Sequence, residues 1–215
     1  MINIKKNYSI AIVGSGKIGQ AVGELLLRAG HSVCFGSRSP KKLSDFIERM
    51  GEKASVKPIE EAIGEGEIIF LALPYPVVDE VIPSLEFLLS EKIVIDATNP
   101  FALSDDGRII SSLDSGITAG KRMSSLLPKS IIIRAFSHIM DELLVSRGTT
   151  QSGFWAVAIA GDDKDSKELV SKLVEDTGYI PVDIGSLAES SCLDPGGMLF
   201  PHMFTKADML NLISK

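Results

Sequence analysis

Apolar and polar positions alternate along the chain in two rhythms. Short β-branched runs, Tyr8 to Val13, Ser32 to Gly36, Glu67 to Leu73, Lys92 to Asp96 and Ser130 to Ala135, read as strands. Between them lie stretches with apolar residues three and four apart, which predict helices over 18–29, 40–50 and 76–89. Pro40 suits an early helical position, and Pro83 is expected to bend or interrupt the third helix. The run Ile68-Ile69-Phe70-Leu71-Ala72-Leu73 is apolar at successive positions, which a strand requires only when helices cover both of its faces. The alternation therefore predicts an α/β fold, a doubly wound and mainly parallel sheet of the Rossmann type. Past Thr149 the pattern continues with a strand over 154–160, an Asp162-Asp163 cap, a helix to about Asp176 and a strand over 179–183. The expected division is 1–150 as the nucleotide-binding domain and 151–215 as a small carboxyl-terminal lobe packed on the sheet.

Composition narrows the function classes. With 215 residues, 45% hydrophobic and 23% charged, the chain can bury a full core. A net charge of −6 gives no broad basic field, so nucleic acid is not an expected partner. No stretch of about 18 apolar residues predicts a membrane span, and Met1 to Ser9 leads into a strand without a cleavage site, so a cytoplasmic protein is expected. Cys34 and Cys192 have no metal-ligand spacing. Asp162 and Asp163 precede a helix and suit its amino terminus better than a metal ion, so no metal is expected.

The candidate chemistry begins after the first strand, where Gly14-Ser15-Gly16-Lys17-Ile18-Gly19 places G-x-G-x-x-G at the opening of a helix. Gly14 permits the tight turn, Gly16 lets backbone approach a pyrophosphate, and Gly19 lets the helix pack closely on the strand. The helix terminus, with roughly half a positive charge, meets the anion. The second strand ends in Gly36-Ser37-Arg38, with Lys41 and Lys42 beyond, where a chain selecting NAD would carry an acid. Ser37, Arg38 and a lysine suit the 2′-phosphate of NADP(H). Leu73-Pro74, Asn99-Pro100 and Phe136-Ser137-His138 follow later strands and are expected to converge on the nicotinamide. Asn99 offers an amide to ribose or carboxamide. Ser137 can donate to charge growing on an acceptor, and His138 either does the same as a proton source or opens the next helix and bonds a carbonyl. His31 reads as structural and Trp155 as core. The apolar end, Met198 to Ile213, is expected to be buried, within the chain or as a homodimer seam.

The glycine loop, Gly36-Ser37-Arg38, Asp96 to Pro100, Arg134-Ala135-Phe136, Ala160 to Asp163 and Gly178 to Leu187 together resemble the NADPH-dependent reductases of coenzyme F420. The same residues resemble the NADPH domain of the six-transmembrane epithelial antigen metalloreductases. That resemblance implies hydride transfer from NADPH to a flavin (FMN or FAD) or deazaflavin ring, a small-molecule acceptor lying near Ser137, His138, Ser186 and Leu187. Two other readings stay open from the residues: a reductase of a small imine or carbonyl compound, and a non-catalytic NADP(H) sensor.

Overall fold

The computed structural model describes residues 7–214. In chain order, β1 (Ser9–Val13), α1 (Lys17–Arg28), β2 (Ser32–Gly36), α2 (Ser44–Met50), β3 (Ala54–Lys57) and α3 (Ile59–Glu65) build the first half of the sheet. They are followed by β4 (Ile68–Leu71), α4 (Val78–Leu89), β5 (Ile93–Asp96) and a ribbon of β6 (Phe101–Leu103) and β7 (Ile109–Ser111). Then come α5 (Ala119–Leu126), β8 (Ile131–Arg134), α6 (Asp141–Thr150), β9 (Ala156–Gly161), α7 (Lys164–Asp176), β10 (Ile180–Asp183) and α8 (Lys206–Ile213).

Eight strands form one sheet in the order β10-β9-β8-β5-β4-β1-β2-β3. Every neighbouring pair is parallel except β8 with β9, so the mainly parallel Rossmann-type sheet is observed as expected. The chain moves outward from β1 to β3, then returns to place β4 on the other side of β1. That reversal opens a crevice above the carboxyl ends of β1 and β4.

Successive residues of each central strand enter different cores. Ile10, Ile12, Ile68 and Phe70 join a cluster with α1, α6 and α7, while Ala11, Val13, Ile69 and Leu71 join one with α3, α4 and α5. This explains the unbroken apolar runs. Residues 151–215 add β9 and β10 to the same sheet, and Ala158, Val182, Leu199 and Met209 form a third cluster. Leu199 and Met209 are buried within the chain, whereas Met198 and Leu210 are exposed.

Several elements differ from the sequence reading. The edge strand β3 is not among the predicted runs, because only Ala54 of its four residues is buried and no apolar run marks it. Residues 40–50 split into a 3-10 turn (Pro40–Leu43) and α2, and Tyr75–Val77 form another such turn before α4. Pro83 lies inside α4 without interrupting it. The N–H it lacks would have met the carbonyl of Asp79, an exposed residue of the first turn, where water can serve instead. Trp155 packs on the main core but is only half-buried: it precedes β9, its Nε1 donates to Gln151 Oε1 at 2.6 Å, and Phe154 stands edge-on to its ring. The β6–β7 ribbon was not predicted. Ser112 N donates to Pro100 O at 2.7 Å across its base, and Phe101 and Leu103 are more than half exposed.

Candidate functional site

The turn after β1 is shaped by its glycines. Gly14 has φ near +106°, and a Cβ there would collide with the carbonyl of Ala72; a Cβ on Gly19 would collide with the carbonyl of Gly14. Both positions thus exclude side chains for steric reasons. Gly16 differs, since a Cβ on it would meet nothing within 4 Å. It borders open space at the amino terminus of α1, which has no side-chain cap and no acid in its first turn. Those N–H groups are free for an anion. Gln20 Nε2 steadies the loop by donating to Ser15 O at 2.8 Å.

Two adjoining cavities of about 340 and 380 Å³ share Gly16, Ala72, Leu73 and Pro74. The first holds Ser15, Ser37, Arg38 and Lys42. Ser37 Oγ accepts from Ser39 N at 3.1 Å and lies 3.5 Å from Ser15 Oγ. Arg38 and Lys42 are exposed and make no ion pair among the described residues, so both charges are available to a ligand. Lys41 does not line the cavity.

The second cavity holds Lys17, Ile18, Tyr75, Thr98 and Asn99. Lys17 reaches Asp141 at the start of α6, 3.6 Å away. Asn99 Nδ2 donates to Ser137 O at 2.7 Å, which fixes the orientation of the amide and leaves Oδ1 buried without a partner. An orphaned acceptor in such a place fits a donor on a bound ligand. The Tyr75 hydroxyl is also buried and unpartnered, and burial pushes its pKa up to about 12, so it stays a donor.

Other predicted residues fall elsewhere. Pro100 is buried, lines neither cavity, and spends its carbonyl on Ser112. Ser137 is buried and lines neither cavity; its carbonyl anchors Asn99, while its Oγ has no partner. His138 is corrected from proton source to structural residue. It is fully buried, Nε2 accepts from Ala158 N at 3.1 Å, and Nδ1 therefore carries the proton given to His202 O at 3.1 Å. Burial pulls its pKa down to about 4. Ser186 and Leu187 also line neither cavity: Ser186 caps a 3-10 turn, and Leu187 is buried with its N–H on Asp162. His31 is structural as expected, accepting from Tyr8 N and facing Asp176.

One feature escaped the sequence reading. Asp96, Arg134 and Asp194 form a buried charged cluster behind the Asn99 loop. Asp96 Oδ1 accepts from the N–H and hydroxyl of Thr98 at 2.9 and 2.7 Å. Charged residues closing the otherwise apolar β5 and β8 were the available signal for two members, but nothing local marks Asp194.

Comparison with known proteins agrees with this geometry. A protein-family model described as NADP oxidoreductase coenzyme F420-dependent matches residues 9–100. Metalloreductase STEAP3 of Rattus norvegicus is 30% identical over 86% of this chain and 36% of its own length. The chain thus spans about a third of the metalloreductases it matches. F420-dependent NADP reductase of Methanocaldococcus jannaschii is 25% identical, covering 86% of this chain and 87% of that one. The solved structure of a hypothetical protein from Sinorhizobium meliloti, 25% identical, superposes with a TM-score of 0.79 over 93% of this chain and 96% of its own. Residues 9–100, which carry the glycine loop, the Ser37-Arg38 turn and Asn99, are thus the part of the chain that matches the coenzyme F420-dependent NADP oxidoreductase family.

Proposed function

We propose that this chain transfers a hydride between NADP(H) and a flavin or deazaflavin acceptor. The observation that carries the reading is the paired cavity over the β1–β4 reversal, with two unpaired cations at one end and an orphaned amide oxygen at the other. Gly16 and the free N–H groups of α1 would hold the pyrophosphate, and Ser37, Arg38 and Lys42 the 2′-phosphate. Asn99 Oδ1 would accept from the nicotinamide end. The dinucleotide, when bound, supplies the hydride.

Of the residues lining the second cavity, only Lys17 and Tyr75 carry ionisable side chains, and the one nearby histidine is locked in the core. A site with so little acid chemistry suits an acceptor ring that takes hydride directly, where the protein's contribution is positioning. The similarity to F420-dependent NADP reductases supports a deazaflavin; the similarity to metalloreductases makes a ferric chelate a further acceptor to test.

The test follows the loss of NADPH absorbance with FMN, FAD, riboflavin, the deazaflavin, a ferric chelate and small imines in turn. Turnover with a flavin or deazaflavin is expected. Turnover of an imine alone would move the chain to another reductase class, and tight binding without turnover of any acceptor would make it a sensor. Arg38→Ala should weaken NADPH binding by about tenfold or more, the worth of a charged hydrogen bond, and leave NADH binding nearly unchanged. Equal losses would remove the 2′-phosphate assignment.

A further inference from the structure

The cluster behind the Asn99 loop has more charge than a fold alone needs. Asp96, Arg134 and Asp194 are 0%, 0% and 4% exposed, two carboxylates to one guanidinium. Buried ion pairs are poor sources of stability, and an extra buried carboxylate makes the balance worse. Their value lies in geometry. Arg134 Nη1 donates to Asp96 Oδ2 at 3.0 Å and to Thr98 O at 2.5 Å, and Nη2 donates to Asp194 Oδ1 at 3.0 Å. Asp194 Oδ2 in turn accepts from Ala119 N at the start of α5, at 2.9 Å. The planar guanidinium is therefore held at both prongs. With Asp194 removed, only the Asp96 side would remain, and the plane could turn about that point, carrying the Thr98 carbonyl with it. Thr98 is bonded through N, Oγ1 and O to this cluster, and the next residue is Asn99.

We propose that Asp194 is a positioning residue for the nicotinamide side of the crevice. By holding Arg134 it fixes the Thr98 backbone, and so presents the orphaned Asn99 Oδ1 to the bound dinucleotide. This rests on the dinucleotide reading above. It assigns a function to a carboxyl-terminal loop that reaches neither cavity of the crevice with its own side chains.

Asp194→Asn keeps the shape but not the bonding, because both carboxylate oxygens accept and an amide nitrogen must now face one of two donors. The chain would be titrated calorimetrically with NADPH and with adenosine 2′,5′-bisphosphate, which carries the adenosine half alone. The expected result is about a tenfold loss for NADPH with the bisphosphate unchanged. Asn99→Ala should lose a similar factor, and the double variant should lose little more, since the two act through one contact. A merely structural role would weaken both ligands alike or add to Asn99→Ala, and either result, or an unchanged NADPH affinity, would overturn the proposal. Should Asp194→Asn not fold, Arg134→Lys, which keeps the charge but cannot hold Asp194 and the Thr98 carbonyl in one plane, is judged by the same outcomes. Unaltered protein that binds neither ligand would mean that the dinucleotide reading has failed, and this proposal with it.

Discussion

Asn99 and His138 follow the ends of neighbouring strands, and the sequence offers both to one crevice. Only the structure shows that Asn99 lines it while His138 turns into the core. Periodicity cannot separate these outcomes, since it reports which face of a strand a residue occupies, not how a side chain turns once the strand has ended. The glycine loop was legible because its requirements are backbone ones, met by residue type and spacing. Ser37 and Arg38 were legible from their place after β2. Asp194 was not, since its partners lie 60 and 75 residues away in sequence. The burial of His138 has a measurable consequence. Its folded pKa of about 4 lies below the ordinary 6.5, so between those values the unfolded chain binds the proton and the folded one does not. Its contribution is therefore full above pH 6.5 and is lost as the pH falls toward 4. His31, also depressed by burial, acts in the same direction. Between pH 7 and pH 5, His138 should account for a loss on the order of 2 kcal/mol of stability. Denaturant midpoints at the two pH values would show it, and His138→Leu should flatten the dependence while lowering stability at pH 7.

Among the elements, legibility followed burial. The strands β1, β4 and β5 announce themselves by unbroken apolar runs, whereas β3, β6 and β7 bury few side chains and sit at an edge or apart from the sheet. Helix α7 shows how a local reading can succeed. Asp163 accepts from Ser166 N at 2.8 Å as its amino-terminal cap, while Asp162 bonds Leu187 N and Lys121. The two acids are thus engaged in separate tasks. Replacing Asp163 by Ala should cost about 1 kcal/mol of stability and leave dinucleotide affinity unchanged, measured by chemical denaturation and titration on the same preparation. A loss of affinity would contradict the separation of this cap from the crevice.

On the scale of the whole molecule, the sequence implied a parallel sheet but not its strand order, and nothing in the apolar run of β9 reveals that it lies antiparallel to β8. Direction is decided by where α6 delivers the chain, which is a matter of packing. The crevice is assembled from the turns after β1, β2, β4 and β5, so a ligand filling it would tie together segments far apart in sequence. Near-saturating NADP should then stabilise the whole fold: at 100 times its dissociation constant the gain is about 2.7 kcal/mol, or roughly 5 to 10 °C in thermal midpoint for a chain of this size. NAD at the same concentration should shift the midpoint much less. The β6–β7 ribbon bears differently on the molecule. It leaves the Asn99 loop at Phe101 and is tied back to Pro100 by the Ser112 hydrogen bond, so the excursion is closed at its root. Changes of length at its tip, residues 104–107, can consequently be absorbed while the ligand-facing framework keeps its shape, whereas β7 is held to that framework through its packing on Gly196 of the Asp194 loop.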